Sequence, residues 1–232
     1  MKRSQINLEI DHAKALFDAI GFRLPGFAFW TIDDWQKNHH LAEEIIENQL
    51  GWDVTDYGKE EFHKTGLLLF TIRNGNAKKN ARFPKPYAEK IMVIKQGQVA
   101  PMHFHWKKTE DIINRGGGNL VLVIYGSSPD EDFSGRPVRI SVDGLLRTVQ
   151  PGDKVVLMPG ESICLRPGVY HKFYAEEGKG DVVIGEVSQV NDDENDNRFY
   201  ESIGRFPDIE EDVRPNHLLC FEYQKWIDPD CD

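Results

Sequence analysis

Apolar residues follow two different periods along the chain. From residue 4 to residue 20 they recur at helical spacing, which predicts an amphipathic helix that Ser4 caps and Gly21 ends. A second helical stretch, with apolar residues among acidic ones, is predicted to end at Leu50-Gly51. The first quarter of the chain is therefore predicted to be helical.

From Gly66 onward the pattern changes to short apolar or alternating runs, separated by Gly, Pro and Asn turns. Many short strands with tight turns predict a closed antiparallel sandwich or barrel. Small barrels of this kind hold a ligand in their mouth. The predicted strands are 67–73, 90–95, 98–106, 119–125, 138–142, 154–157, 162–165, 171–175 and 182–188.

The length of 232 residues fits one domain with extensions. We expect a single domain over residues 1–232, because neither an internal repeat nor a Gly/Ser linker divides the sequence. Within it, residues 1–65 are predicted to form a helical N-terminal extension, residues 66–190 the β-barrel core, and residues 191–232 a tail packed on the outside.

Composition narrows the class of protein. A net charge of −10 argues against binding to nucleic acid or to anionic membranes. No apolar run approaches the roughly eighteen residues that a membrane span needs, and the N-terminus has no apolar signal region. Three cysteines, Cys164, Cys220 and Cys231, form no C-x-x-C pair. Reduced thiols in a cytoplasmic protein are therefore expected.

The most informative motif is G-x5-H-x-H-x4-E-x6-G at residues 97–117, which contains His103, His105 and Glu110. A second motif, Pro-Gly-Val-Tyr-His, ends at His171. Because alternate residues of a strand share a face, His103 and His105 point the same way. These four residues predict a metal site with three imidazoles and one carboxylate.

Such a ligand set leaves two adjacent positions open on an octahedral metal ion. Two neighbouring oxygen atoms of one ligand would fit these positions. The hard carboxylate ligand among the imidazoles suits Mn²⁺, Fe²⁺ or Co²⁺.

Together the two motifs are the signature of the cupin superfamily, and three longer segments resemble the D-lyxose isomerases within it. These segments are AEKIMVIKQGQVAPMHFHWKKTEDIINRGGGNLVLVIYG, GDKVVLMPGESICLRPGVYHKF and GEVSQVNDDENDNRF. The second motif departs from the usual cupin pattern, because Pro167 directly precedes Gly168 and Ala175 stands where an Asn is usual. Neither change affects a predicted ligand.

The resemblance implies a mainly β cupin fold, an antiparallel β-barrel or jelly roll with an N-terminal helical extension. It implies Mn²⁺ as the metal and the interconversion of D-lyxose with D-xylulose, with D-mannose and D-fructose as a second pair. It also favours functional roles for two charged residues on predicted strands. Glu186 is the candidate base for proton transfer, and Lys90 is the candidate acid or oxyanion partner, which also contacts the sugar.

Further residues are candidates for sugar binding. Trp30, Phe104 and Trp106 could offer flat surfaces to the C–H faces of a sugar, although core packing accounts for such aromatics equally well. We also count Asp193 and Arg198, in the third resembling segment, among the candidates. The expected partner is an unphosphorylated monosaccharide, since the metal motif has no adjacent basic clamp.

Alternatives remain open at this point. A hydride shift between C1 and C2 would use the same metal and would reduce Glu186 to a positioning role. An Fe(II)-dependent cupin oxygenase and a non-catalytic sugar-binding cupin are the rival functions, because a fold does not fix its chemistry. Exposed strands and the apolar helix also suggest a homodimer.

Overall fold

The computed structural model describes residues 1–193 and 195–227, in which two antiparallel sheets face each other. The strands are β1 Gly51–Thr55, β2 Leu67–Arg73, β3 Tyr87–Ile94, β4 Val99–Phe104, β5 Glu110–Gly117, β6 Leu120–Ser127, β7 Phe133–Ser134, β8 Val138–Val142, β9 Leu145–Val149, β10 Lys154–Leu157, β11 Ser162–Leu165, β12 Val169–Ala175, β13 Val182–Gln189 and β14 Arg198–Phe199. The larger sheet has the order β1-β2-β3-β13-β5-β11-β8-β9, and the smaller has the order β10-β6-β12-β4-β14 with β7 paired to β6. The predicted mainly β fold is confirmed.

The main core lies between the two sheets. Alternate residues of the central strands point inward, such as Met92 and Ile94 on β3 and Leu122 and Ile124 on β6. Burying each of these side chains is worth about 1.5–3 kcal/mol. The pocket described below opens within this same inward face.

A second core covers the outer face of the larger sheet. Helix α1, Arg3–Ala19, packs Ile6, Ile10 and Phe17 against outward-facing residues of β2 and β3, such as Phe70. These strands are therefore buried on both faces, which explains why β2 reads as the continuous apolar run LLLF.

The predicted first helix is confirmed to within one residue at each end, and Gly21 ends it with a left-handed φ of +75°. The predicted cap is wrong, because the N-cap is Lys2, without a side-chain hydrogen bond. Ser4 instead donates from its hydroxyl to Asp212, which ties the helix to the C-terminal segment.

The second helical stretch is broken into short pieces. Helix α2, Ile32–Asn38, begins with a capping box in which Thr31 and Asp34 satisfy each other's backbone N–H groups. A 3₁₀ turn separates it from α3, Glu43–Glu47, and a last helix, α4, spans Tyr223–Ile227. Within the residues that the structure describes, no helix is long and apolar enough to cross a lipid bilayer.

Five strands are absent from the prediction. Strand β1 falls inside the segment expected to be helical, and β14 falls inside the segment expected to pack outside the barrel. Strand β5, which runs from Glu110 to Gly117, and the short strands β7 and β9 were not predicted either. Gly117 has φ +87°, and a Cβ there would lie 2.2 Å from the Asp181 carbonyl oxygen, so the chain passes too close for a larger residue.

Cys164 and Cys220 are free thiols. Cys231 lies outside the described residues, as does Glu194 in the acidic stretch. The division of the chain at residues 65 and 190 stays a prediction.

Candidate functional site

The histidines of the two motifs meet across neighbouring strands. His103 on β4 pairs in register with His171 on β12, and their ring centroids are 4.2 Å apart. His105 follows the end of β4, two residues beyond His103, and its ring lies on the same side as the other two. One nitrogen from each ring lies within 4.8 Å of the others, an arrangement that could hold a metal ion.

Backbone carbonyls fix the orientation of all three rings. The Nδ1 of His103 donates to the carbonyl of Pro101 at 2.8 Å, and that of His171 donates to Val169 at 3.0 Å. His105 donates in the same way to Asp196 at 2.7 Å. Each Nε2 is therefore left free to face the pocket, the tautomer that a metal ligand requires.

Electrostatics keep His103 neutral. Burial, together with His171 and His105, lowers the pKa of His103 well below its usual value, so the ring is neutral at neutral pH. A neutral imidazole has the lone pair that binds a cation.

Glu110, the first residue of β5, lies beside two of these histidines. Its Oε1 lies 3.1 Å from Nε2 of His171, and its Oε2 lies 3.4 Å from Nε2 of His105. Burial alone would raise its pKa, but Lys108 and His105 hold the pKa well below its usual range. Oε1 is nevertheless buried without a hydrogen-bond partner. A buried anionic oxygen beside three free imidazole nitrogens fits a divalent cation.

Beside this group lies a buried network of lysines and a carboxylate. Glu186 on β13 pairs in register with Lys90 on β3. The Nζ of Lys108 lies 2.9 Å from Oε1 of Glu186 and 3.0 Å from Oε2 of Glu110, and Lys90 Nζ lies 3.4 Å from the same Glu186 oxygen. Asn191 accepts a hydrogen bond from Lys90 at 2.6 Å. Lys108 thus joins Glu110 to Glu186.

Two paired cations keep Glu186 ionised. Burial alone would raise the pKa of Glu186, but Lys108 and Lys90 lower it below its ordinary value. An ionised carboxylate next to the candidate metal site is able to accept a proton from a bound molecule.

The pocket brings together most of the predicted polar residues. Lys90, Asp193 and Glu186 line it, as do His103, His105, Glu110 and His171. It is also lined by residues that the sequence analysis did not single out, namely Tyr57, Lys108, Asn197, Phe199 and Arg205. One feature of the sequence could have identified Lys108 as a pocket residue. It stands two residues before Glu110, and an extended chain places both side chains on one side.

The predicted aromatic platforms do not lie in this pocket. Phe104 is adjacent to His103 on β4, so it points to the opposite face, where its ring packs against Tyr170 at 4.7 Å. Trp106 is largely exposed and donates from its indole to Glu131. Trp30 packs against Trp35 in a separate cluster. These three assignments are not supported by the structure.

Arg198 is likewise outside the pocket lining. Its Nε donates to Glu131 at 2.9 Å on the surface. Asp196, in the acidic stretch after residue 191, has a structural role. The carboxylate of Asp196 accepts hydrogen bonds from the backbone N–H groups of Lys107 and Lys108 at 2.8 and 3.0 Å.

The double-sheet barrel with its buried histidines defines a cupin fold of the kind found in sugar isomerases. The L-ribose isomerase of Cellulomonas parahominis, solved with L-ribose, covers 90% of this chain and aligns over 98% of its own length with a TM-score of 0.60 at 15% identity. That of Geodermatophilus obscurus covers 87% of this chain and 93% of its own, with a TM-score of 0.58 at 15% identity. At this identity the likeness concerns the fold alone.

Sequence comparison identifies the family. The profile of the D-lyxose isomerase family matches residues 1–223. The D-lyxose/D-mannose isomerase of Serratia proteamaculans is 46% identical over 228 residues, which are 98% of this chain and 100% of that protein. The protein of the same name from Escherichia coli O157:H7 is 46% identical over 227 residues, 97% of this chain and all of that protein. The chain belongs to the D-lyxose isomerase family and is an aldose–ketose isomerase.

Proposed function

We propose that the protein interconverts D-lyxose and D-xylulose, and more slowly D-mannose and D-fructose, by proton transfer through a cis-enediol. One observation carries the proposal: a buried, ionised Glu186 lies between two lysines, in the pocket that also contains three histidines and Glu110. The choice of sugars is supported by the two 46% identical relatives, which are D-lyxose/D-mannose isomerases. The family assignment also favours an isomerase over the oxygenase and the non-catalytic sugar binder.

His103, His105, Glu110 and His171 are the proposed ligands of one divalent metal ion, for which we propose Mn²⁺, with Co²⁺ or Fe²⁺ possible. When bound, such an ion supplies Lewis-acid polarisation of the sugar carbonyl. The free Nε2 atoms and the unpaired Oε1 of Glu110 support this assignment. A homodimer and a cytoplasmic location are also proposed, on the sequence pattern and composition alone.

Glu186 is the proposed base. Its carboxylate removes the proton from C2 of the open-chain aldose and returns it to C1 on the same face, so one C–H bond breaks and one forms. Over the same reaction O1 gains a proton and O2 loses one. Lys90, whose ammonium group donates to Asn191, is the proposed donor to the oxygen that carries negative charge. Lys108 keeps Glu186 anionic between turnovers.

The test is an assay of the protein, loaded with Mn²⁺, against a panel of aldoses in deuterium oxide. We expect ketose to form from D-lyxose and D-mannose, with some solvent deuterium at the transferred position, because the protonated carboxyl group of Glu186 exchanges with solvent. Ketose formation without any deuterium would support a hydride shift. Failure to form ketose from any aldose would refute the proposed activity.

A further inference from the structure

A second charged cluster borders the pocket. Arg205, from the C-terminal segment, places its Nη2 atom 2.5 Å from Oδ2 of Asp53 and 3.1 Å from Oδ2 of Asp193. Asp53 lies on β1 and is buried, whereas Arg205 and Asp193 line the pocket. Within the described residues, no hydrogen bond or ion pair joins Arg205 to the histidines, Glu110 or Glu186. The cluster is therefore distinct from the groups proposed to act at C1 and C2.

This cluster has unused hydrogen-bonding capacity. The Nη1 atom of Arg205 and the Oδ1 atom of Asp53 are both buried without a hydrogen-bond partner. Buried polar atoms are hydrogen-bonded in the great majority of cases, so an unpaired guanidinium nitrogen in a pocket wall points to a bound acceptor. A guanidinium carries five N–H donors in a fixed plane, which makes Nη1 a directed donor.

Charge decides which kind of acceptor fits. Two carboxyl groups already pair with Arg205. The pKa of Asp193 lies well below its usual range because Arg205 and Lys90 outweigh the effect of burial, whereas burial raises the pKa of Asp53. A phosphate group would meet the anionic Asp193 beside the single unpaired donor. A hydroxyl group is able to accept from Nη1 and donate to Asp193, and it carries no charge. The cluster thus suits a neutral sugar hydroxyl.

We propose that Arg205 recognises a hydroxyl group of the sugar at C4 or C5, remote from the reacting carbons, and that Asp53 positions Arg205 for this contact. The inference rests on the proposed function, since it takes the substrate to be an open-chain aldose whose C1 and C2 lie at Glu186. Arg205 is then a specificity-determining residue, whereas Asp53 acts only through it.

The experiment measures kcat/KM of two forms of the metal-loaded enzyme on three sugars. Wild type and Arg205→Lys are assayed on D-lyxose, on its 4-deoxy analogue and on its 5-deoxy analogue. Arg205→Lys should lower kcat/KM on D-lyxose on the order of 10- to 100-fold, the effect of losing a hydrogen bond from a charged donor. On the analogue that lacks the recognised hydroxyl, the same substitution should change kcat/KM by less than about threefold. The control Arg214→Lys, at an exposed arginine paired with Asp33, should leave all three sugars unaffected.

Damage to the fold would not produce this pattern, because it lowers activity on all three sugars alike. Equal losses on D-lyxose and on both analogues would therefore overturn the proposal. Asp53→Asn provides a second test if Arg205→Lys does not fold, and its smaller loss should show the same dependence on the sugar. The proposed function fails separately, if wild type forms ketose from none of the sugars.

Discussion

Replacing Lys108 should destabilise the protein more than replacing a surface lysine does. Lys108 is 3% exposed, and its ammonium group lies within 3.0 Å of carboxylate oxygens of both Glu110 and Glu186. At an effective dielectric constant of about 20, each attraction is worth about 5 kcal/mol before desolvation is subtracted. Lys108→Met retains the apolar stem but leaves two buried carboxylates facing each other without the cation between them.

The expected net loss of stability is taken from mutations of buried ion pairs in other proteins. Removing one partner of such a pair lowers stability by about 3–5 kcal/mol, because the other charge stays buried. We expect Lys108→Met to lower the free energy of unfolding of the metal-free protein by this amount. Added Mn²⁺ should restore part of the loss, since a cation at Glu110 would replace one of the two lost interactions.

The assay is urea unfolding followed by tryptophan fluorescence, with EDTA and with Mn²⁺. The control Lys59→Met removes a lysine from an exposed pair with Glu201, 3.3 Å away, and should change the free energy of unfolding by less than about 1 kcal/mol. A loss below about 1 kcal/mol for Lys108→Met would show that the two carboxylates do not depend on this lysine, and the account of the network would be wrong.

Three further predictions concern the site and the stability of the fold. Glu186→Gln should retain metal but lose roughly 10²–10⁴-fold in kcat, the usual contribution of a general base; a near-normal kcat would remove Glu186 from that role. His103→Ala with His105→Ala should abolish bound metal in elemental analysis, and full occupancy would show that the ligand set is wrong. Glu211, hydrogen-bonded to the buried Arg3, has its pKa lowered from 4.5 to about 2. Its stabilisation is therefore complete above pH 4.5 and is lost as the pH falls toward 2, so the destabilisation caused by Glu211→Gln should be smaller at pH 3 than at pH 7 in urea unfolding. An equal effect at both pH values would contradict this linkage.

The local pattern of apolar and turn residues was sufficient to predict much of the fold. The strands at 138–142, 154–157 and 162–165 agree with the prediction at both ends, because short apolar runs bounded by turn residues determine them locally. Among the strands that were missed, β1 and β5 depend on distant partners for their pairing: β1 pairs with β2, and β5 lies between β13 and β11. Such pairing has no signal within a short window of sequence.

The candidate metal site belongs to what the sequence determined by itself. Spacing of two residues on a strand places His103 and His105 on one face, whatever the rest of the chain does. Because successive side chains of a strand alternate between its two faces, Phe104 lies on the face opposite to His103 and His105. Its assignment to sugar binding was therefore inconsistent with the alternation that places the two histidines together. The registers of β4 with β12 and of β13 with β3 then brought His171 to His103 and Glu186 to Lys90.

Only the tertiary structure decided which other charges share the pocket. Arg205 and Asp53 are separated by about 150 residues in sequence and meet through the packing of the C-terminal segment on β1. Lys108 is one of many lysines in the sequence, and its spacing of two residues from Glu110 does not show that it becomes buried between two carboxylates. Burial turns an ordinary surface charge into one that must be paired. Since burial is a property of the assembled sheets, the sequence identified the candidate ligands and the fold determined their charged surroundings.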